Sequence, residues 1–240
     1  MSLPVFRAAP LPEVGSYRLD GAEGRHAATV RRLRSGEALL LVDGVGGVAD
    51  AVVTAAGRDA LDVEVSARRQ QPAPSPRLTV VQALAKGEHA ERAVDLLTEV
   101  GADLIVPWSA ARSVVRWEGE RGAKARVRWQ AVADAAAKQS RRSWWPQVSP
   151  LASTAEVAAL VAGADVGLVV HESADQPLAS VDVCRAASIV LVVGPEGGIA
   201  AEELAEMGGS ICRLGPEVLR TSSAGIAAAA ALLSRTTRWT

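Results

Sequence analysis

Between Gln70 and Pro76 the chain reads Gln70-Gln71-Pro72-Ala73-Pro74-Ser75-Pro76, and this stretch constrains the fold more than any other. Proline has no backbone N–H and holds the preceding residue extended, so no interior strand or helix passes through such a segment. It reads as an interdomain linker that separates residues 1–71 from residues 72–240. Before it, short apolar runs alternate with turn residues: Val5-Phe6, Tyr17 to Leu19, Ala38 to Val42, Val48 to Thr54 and Leu61 to Val65. These are predicted strands. Gly44, Gly46 and Gly47 mark a hairpin, and Gly24 to Leu33 one short helix, which together make a small β-barrel pattern.

After the linker the pattern changes to alternating strands and helices. Strands are predicted over Leu78 to Ala83, Leu104 to Trp108, Val166 to Val170, Ile189 to Val193 and Ile211 to Leu214. Helices are predicted over Ala90 to Val100, Lys124 to Gln139, Thr154 to Val161, Ala201 to Met207 and Ser222 to Leu233, with Ser222 or Ser223 as N-cap of the last. Such alternation implies an α/β domain with a mostly parallel sheet, whose ligands sit beyond the carboxyl ends of the strands. The loops after Val170, Val193 and Leu214 are therefore the places to look.

Ser188 to Val193 runs as a buried strand into Gly194-Pro195-Glu196-Gly197-Gly198, and a helix follows near Ala200. Glycines in a strand-to-helix turn allow close approach of a ligand, and the free N–H groups of a helix start attract acceptors. The next strand ends in Leu214-Gly215 and leads through Pro216-Glu217-Val218-Leu219-Arg220-Thr221 into an alanine-rich helix, so two strand ends carry open loops.

The longest apolar stretch, Ile226 to Leu233, is far shorter than the roughly 20 residues that cross a bilayer, so no membrane partner is expected. Met1 to Pro12 lacks the pattern of a secretory signal, and a cytoplasmic location is expected. Cys184 and Cys212 have no metal-ligand spacing and read as reduced, buried, small apolar residues; no metal is expected. A formal net charge of −1 argues against binding nucleic acid through global positive charge, yet the cations cluster. Arg31, Arg32 and Arg34 form one group, Arg121, Lys124, Arg126 and Arg128 a second, Arg141 and Arg142 a third, with Trp117, Trp129, Trp144 and Trp145 among the latter two. Two readings stay open: phosphate contact with stacking on unpaired bases, or a solvated face with partly buried tryptophans.

Taken in order, several pieces resemble the SPOUT superfamily of trefoil-knotted methyltransferases, and within it the 16S ribosomal RNA uridine-N3 methyltransferases. The pieces are His26 with Val30-Arg31-Arg32-Leu33-Arg34 and Gly36, Lys86, Glu91-Arg92, Leu97 to Gly101, Pro107, Arg112-Ser113, Gln139-Ser140 with Arg142, Gly194 to Gly198, and Leu214-Gly215 with Leu219-Arg220-Thr221. The resemblance implies a PUA-like barrel for RNA, a knotted α/β domain that binds S-adenosylmethionine, and a homodimer acting on the small ribosomal subunit, in its decoding region and on assembled 30S particles. The implied cofactor residues are Val170, His171, Glu172, Gly194, Pro195, Glu196, Gly197, Gly198, Ile199, Leu214, Gly215, Val218, Leu219, Arg220, Thr221 and Ala224. RNA-facing candidates are His26, Arg31, Arg32, Arg34, Lys86, Arg92, Arg112, Gln139 and Arg142.

Methylating N3 of uridine requires loss of a weakly acidic imide proton, so Glu196 is the candidate base and Arg220 the candidate anchor for the base or a phosphate. Against these stand structural readings, in which Glu196 bonds loop N–H groups and Arg220 anchors its loop by an ion pair. Two departures from the family pattern matter: Lys138-Gln139 stands where the family has Glu-Gln, and Ser222-Ser223-Ala224 where it has Glu-Thr-Ala. The second removes a carboxylate and keeps alive a non-catalytic reading, an RNA-binding assembly factor. Methylation at another RNA site is a further alternative, and a nicotinamide-dependent oxidoreductase fits poorly because the full G-x-G-x-x-G spacing is absent.

Overall fold

The computed structural model describes residues 3–239; Met1 and Ser2, the start of the segment read for a secretory signal, lie outside the described residues, as does Thr240. The chain divides into two compact units, residues 1–73 with 137–145 and residues 74–136 with 146–240.

In the first unit β1 (Val5–Arg7), β2 (Gly15–Leu19), β3 (Ala38–Val42), β4 (Gly47–Ala56) and β5 (Leu61–Gln70) form one sheet in the order β1-β3-β4-β5-β2. β1 lies parallel to β3 and every other pairing is antiparallel. Alternation sets its core: Leu39 and Leu41, Ala49, Ala51 and Val53, and Leu61, Val63 and Val65 point inward, while Asp62 and Glu64 between them do not. Register shifts at Asp50/Ala51 and Val53/Ala55 bend the long β4–β5 pair, as bulges do. The single helix expected over Gly24 to Leu33 is instead α1 (Gly21–Arg25) followed by a π-helical turn, His26–Val30, closed by the Arg31 N–H on the His26 carbonyl at 2.9 Å.

The second unit begins with β6 (Arg77–Ala83), α2 (Glu88–Val100), β7 (Leu104–Trp108) and α3 (Gly119–Gln139), whose last residues belong to the first unit. It continues with β8 (Gln147–Val148), α4 (Thr154–Ala162), β9 (Val166–Val170), β10 (Gln176–Pro177), β11 (Ser188–Val193), α5 (Ala201–Met207), β12 (Ser210–Arg213) and α6 (Thr221–Leu233). The strands form one parallel sheet in the order β10-β12-β9-β11-β6-β7-β8. Successive residues of β11 bury on opposite faces: Ile189, Leu191 and Val193 meet α2, α3 and α6, whereas Val190 and Val192 meet α4 and α5. A sheet covered on both faces needs this unbroken apolar run. α6 packs closely because it is made of small residues; a Cβ on Gly225 would lie 3.0 Å from Leu97 Cδ2 and 3.5 Å from Val193 Cγ2.

Three expectations change. Helix α6 starts one residue early, with Arg220 as N-cap, because the Arg220 carbonyl already accepts the N–H groups of Ser223 (2.8 Å) and Ala224 (2.9 Å); Ser222 and Ser223 lie inside the first turn. Cys212 is buried, and burial pushes its thiol pKa up, but Cys184 is exposed, in a polar turn where its N–H donates to Asp182 at 2.9 Å. The tryptophans are largely engaged within the protein. Trp129 is buried with Trp117 edge-on at 4.9 Å, Trp144 donates from Nε1 to the Gln71 carbonyl, and Trp145 lies under the Arg7 guanidinium at 4.8 Å.

Arg238 clamps the end of the chain to the starts of β6 and β7. Its guanidinium spans both Asp103 oxygens at 2.6 and 3.0 Å and also donates to the Pro76 and Gly101 carbonyls, with side-chain exposures of only 11% and 13% for the pair. Removing one partner of such a pair strands a buried charge. Asp103→Ala is expected to lower stability by about 3–5 kcal/mol in urea unfolding followed by circular dichroism.

Candidate functional site

The sheet register aligns three strand ends. Val193 of β11 and Cys212 of β12 both pair with Val170 of β9, so the chain leaves β9, β11 and β12 at one level along the carboxyl edge. The His171 N–H continues the contact to the Cys212 carbonyl at 2.9 Å. The three loops, with the first turn of α6, enclose a cavity of about 400 Å³.

Fifteen of the sixteen residues expected at a cofactor line this cavity: Val170, His171, Glu172, Gly194, Pro195, Glu196, Gly198, Ile199, Leu214, Gly215, Val218, Leu219, Arg220, Thr221 and Ala224. The sixteenth, Gly197, faces away, and a Cβ there would meet Arg112 Cβ and the Arg112 carbonyl oxygen at 3.2 Å each. The Pro195 to Gly198 turn closes through the Gly198 N–H to the Pro195 carbonyl at 2.9 Å, with Gly198 at φ +74°, a left-handed backbone that glycine adopts without strain. Two lining residues, Val193 and His89, were not read from the sequence, and a third, Glu217, was read only as part of the second open loop. Val193 and Glu217 adjoin or fall within the expected loops, whereas His89 arrives from the first turn of α2 and carries no local signal.

The polar lining is lopsided. Glu172, Glu196 and Glu217 bring three carboxylates to the wall against a single guanidinium, Arg220, and His89 and His171 are also part of it. Among the described residues the side chains of Glu196 and Arg220 make no hydrogen bond or ion pair, so neither side chain anchors its loop in this structure. His171 Nδ1 accepts the Ser173 N–H at 3.3 Å and meets Ser173 Oγ at 2.8 Å, which places the proton of a neutral ring on Nε2. No side chain caps α6, and Thr221 at its start is in the cavity wall. Ser222, where the family carboxylate is missing, is buried at 4% exposure and lies off that wall.

The RNA-facing candidates fall into distinct settings. On the first unit Arg31, Arg32 and Arg34 are exposed, and His26 is half-buried edge-on to Phe6 at 6.0 Å. Gln139 is exposed, while Arg142 is spent within the unit, its Nε donating to the Trp144 carbonyl at 2.9 Å. On the second unit Lys86 and Arg92 flank His89 in a groove, so His89 borders both that groove and the cavity. Arg112 is exposed and reaches the glycine turn, its Nη1 donating to the Gly197 carbonyl at 3.3 Å.

Strand ends in register, a glycine turn beside an open helix start, and a separate small sheet define the SPOUT type of RNA methyltransferase with a PUA-like domain. The chain matches a family model for an RNA methyltransferase domain over residues 71–233 and one for an RNA methyltransferase PUA domain over residues 19–66, and it belongs to that RNA methyltransferase family. It is 47% identical over a 244-residue alignment to ribosomal RNA small subunit methyltransferase E of Mycobacterium bovis, covering 98% of this chain and 93% of the relative. The protein of that name from Bacillus subtilis is 29% identical, covering 94% and 93%. Ribosomal RNA small subunit methyltransferase E from Neisseria gonorrhoeae, bound to S-adenosyl methionine, superposes with a TM-score of 0.85 at 27% identity, covering 97% of this chain and 98% of that one.

The departure at Lys138 has a local cause. Its ammonium pairs with Glu23 at 2.8 Å, with both side chains about a quarter exposed, and the other Glu23 oxygen accepts the Arg7 N–H at 3.1 Å. A glutamate at 138 would face Glu23 directly. Lys138→Glu is expected to destabilise the first unit by about 1–3 kcal/mol, read as a fall in melting temperature that Glu23→Lys in the same chain largely restores.

Proposed function

We propose that this chain transfers a methyl group from S-adenosylmethionine to N3 of one uridine in 16S ribosomal RNA, in the decoding region of assembled small subunits, acting as a homodimer in the cytoplasm. The observation that carries the donor is the charge of the cavity. Three carboxylates and one guanidinium suit a ligand bearing a cationic sulfur and an ammonium, and they would repel the pyrophosphate of a nicotinamide dinucleotide. The uncapped N–H groups at the start of α6 supply the opposite need, a place for the ligand's own carboxylate. The ribosomal target rests on the relatives' shared name, and the uridine and its N3 on the ordered motifs from His26 to Thr221. Exposed Val218 and Leu219 beside the cavity are apolar surface that a second copy would cover.

When bound, the donor supplies a methyl carbon on a positively charged sulfur. The chain's residues do the rest. Glu196, exposed and unpartnered at the cavity, accepts the N3 proton as the new nitrogen–carbon bond forms and the carbon–sulfur bond breaks. Arg220 stabilises the negative charge that develops on the uracil oxygens. The missing acid at Ser222 does not weaken this reading, because that position is buried and off the cavity wall.

Small-subunit RNA incubated with enzyme and donor, as free RNA and as assembled subunits, tests the proposal by mass spectrometry of its nucleosides. One added methyl on a single uridine, in subunits and not in free RNA, is expected. Glu196→Gln should lower kcat by about 100-fold or more while donor affinity measured by calorimetry stays within a few-fold. Absence of donor binding by the unaltered protein would overturn the reading at its base.

A further inference from the structure

Glu203, in the first turn of α5, is 7% exposed, and among the described residues no cation pairs with it. A buried carboxylate without a counter-charge is costly unless neutral donors satisfy it, and three do. Its Oε1 accepts the Ala111 N–H at 2.8 Å and the Thr154 hydroxyl at 3.2 Å, and its Oε2 accepts the Ala200 N–H at 3.2 Å. Thr154 in turn accepts the indole N–H of fully buried Trp108 at 3.3 Å. One side chain thus ties the loop after β7 to the start of α4 and to the loop after β11.

What that tie holds is Arg112, the neighbour of Ala111. The Arg112 Cβ and carbonyl oxygen lie close over Gly197, 3.2 Å from where a Cβ would stand, and its Nη1 reaches the Gly197 carbonyl. A Cβ on Gly198, a residue of the cavity wall, would lie 3.7 Å from Arg112 Nη1 and 3.9 Å from Glu172 Oε1. The guanidinium therefore stands at the cavity rim, beside Gly198 and near the Glu172 carboxylate of the cavity wall. Arg116 reinforces the same loop by donating to the Ala110 and Ala111 carbonyls at 2.9 and 3.0 Å.

We infer that Glu203 is a positioning residue that fixes Arg112 at the rim of the methyl-donor cavity, where its guanidinium takes a phosphate of the RNA entering the site. This rests on the RNA methyltransferase reading above. Glu203 touches neither donor nor RNA; it acts through the Ala111 N–H. Reach matters more than charge here. A glutamine keeps an acceptor toward Ala111, whereas an aspartate keeps the charge but is one methylene too short.

The test compares Glu203→Ala, Glu203→Asp and Glu203→Gln, each alone and with Arg112→Ala, by the KM and kcat for small subunits, filter binding of RNA, and donor Kd by calorimetry. Glu203→Ala and Glu203→Asp are expected to raise the KM for RNA about tenfold, the loss of one charge-assisted phosphate contact, with donor Kd within twofold. Glu203→Gln should keep most of the RNA affinity while lowering the melting temperature, because its amide meets the Ala200 N–H donor to donor. In the Arg112→Ala background none of the three should raise KM further. Additive losses in that background, or Glu203→Gln as defective as Glu203→Ala, would overturn the inference; Glu203→Asp supplies the same comparison should the alanine variant not fold. An unaltered protein that binds no donor and methylates no RNA would instead remove the functional reading on which it rests.

Discussion

The pairing of β9 with both β11 and β12 is the constraint on which the rest of the second unit depends. Because Val193 and Cys212 sit opposite the same residue, Val170, the loops that follow begin at one level and can enclose a single cavity. A one-residue slip in either ladder would reverse which side chains of that strand face α2 and α6 and which face α4 and α5. From Ile189 to Val193 both faces of β11 are apolar, so that run by itself would tolerate a slip. The helices resolve the ambiguity: Gly225 admits Leu97 and Val193 to close contact only when Val193 lies on the α6 side.

Much of this was legible in the residues, for identifiable reasons. Period-two burial in β3, β4 and β5 is a local property of the chain, and so is the apolar run of β11 before its glycines. Features decided by tertiary contact were not. Strands β8 and β10 are two residues long and exist only because β7 and β12 offer edges to them. His89 enters the cavity wall because α2 begins there, and no spacing in the sequence links it to Gly194 or Gly215. The start of α6 misled because serines are strong N-caps in general, while here the Arg220 carbonyl closes the first turn before either serine is reached.

Charged residues near tryptophans illustrate a second limit. Arg142, Trp144 and Trp145 look, in one dimension, like a surface built for nucleic acid. In three dimensions they hold the 137–145 segment within its own unit. The same holds for Lys138, whose departure from the family pattern is matched by Glu23 more than a hundred positions earlier. Composition could not distinguish cations that bind the chain from cations that remain available, because the distinction lies in partners distant in sequence.

That distinction organises the cavity as well. The charged groups with several partners, Glu203 and Arg116, tie backbone to backbone and so fix where the loops lie. Glu196 and Arg220, which line the cavity, have no side-chain partner to surrender among the described residues. A group that must exchange a proton or meet a developing charge works best when no internal bond competes for it, provided its backbone is already held in place. The Pro195 to Gly198 turn, braced by Arg112 on the Gly197 carbonyl, holds Glu196, and the main-chain bonds of the first turn of α6 hold Arg220. Backbone order combined with side-chain availability is what a pre-organised site for a transient anion requires, and in this chain the two properties reside in different residues.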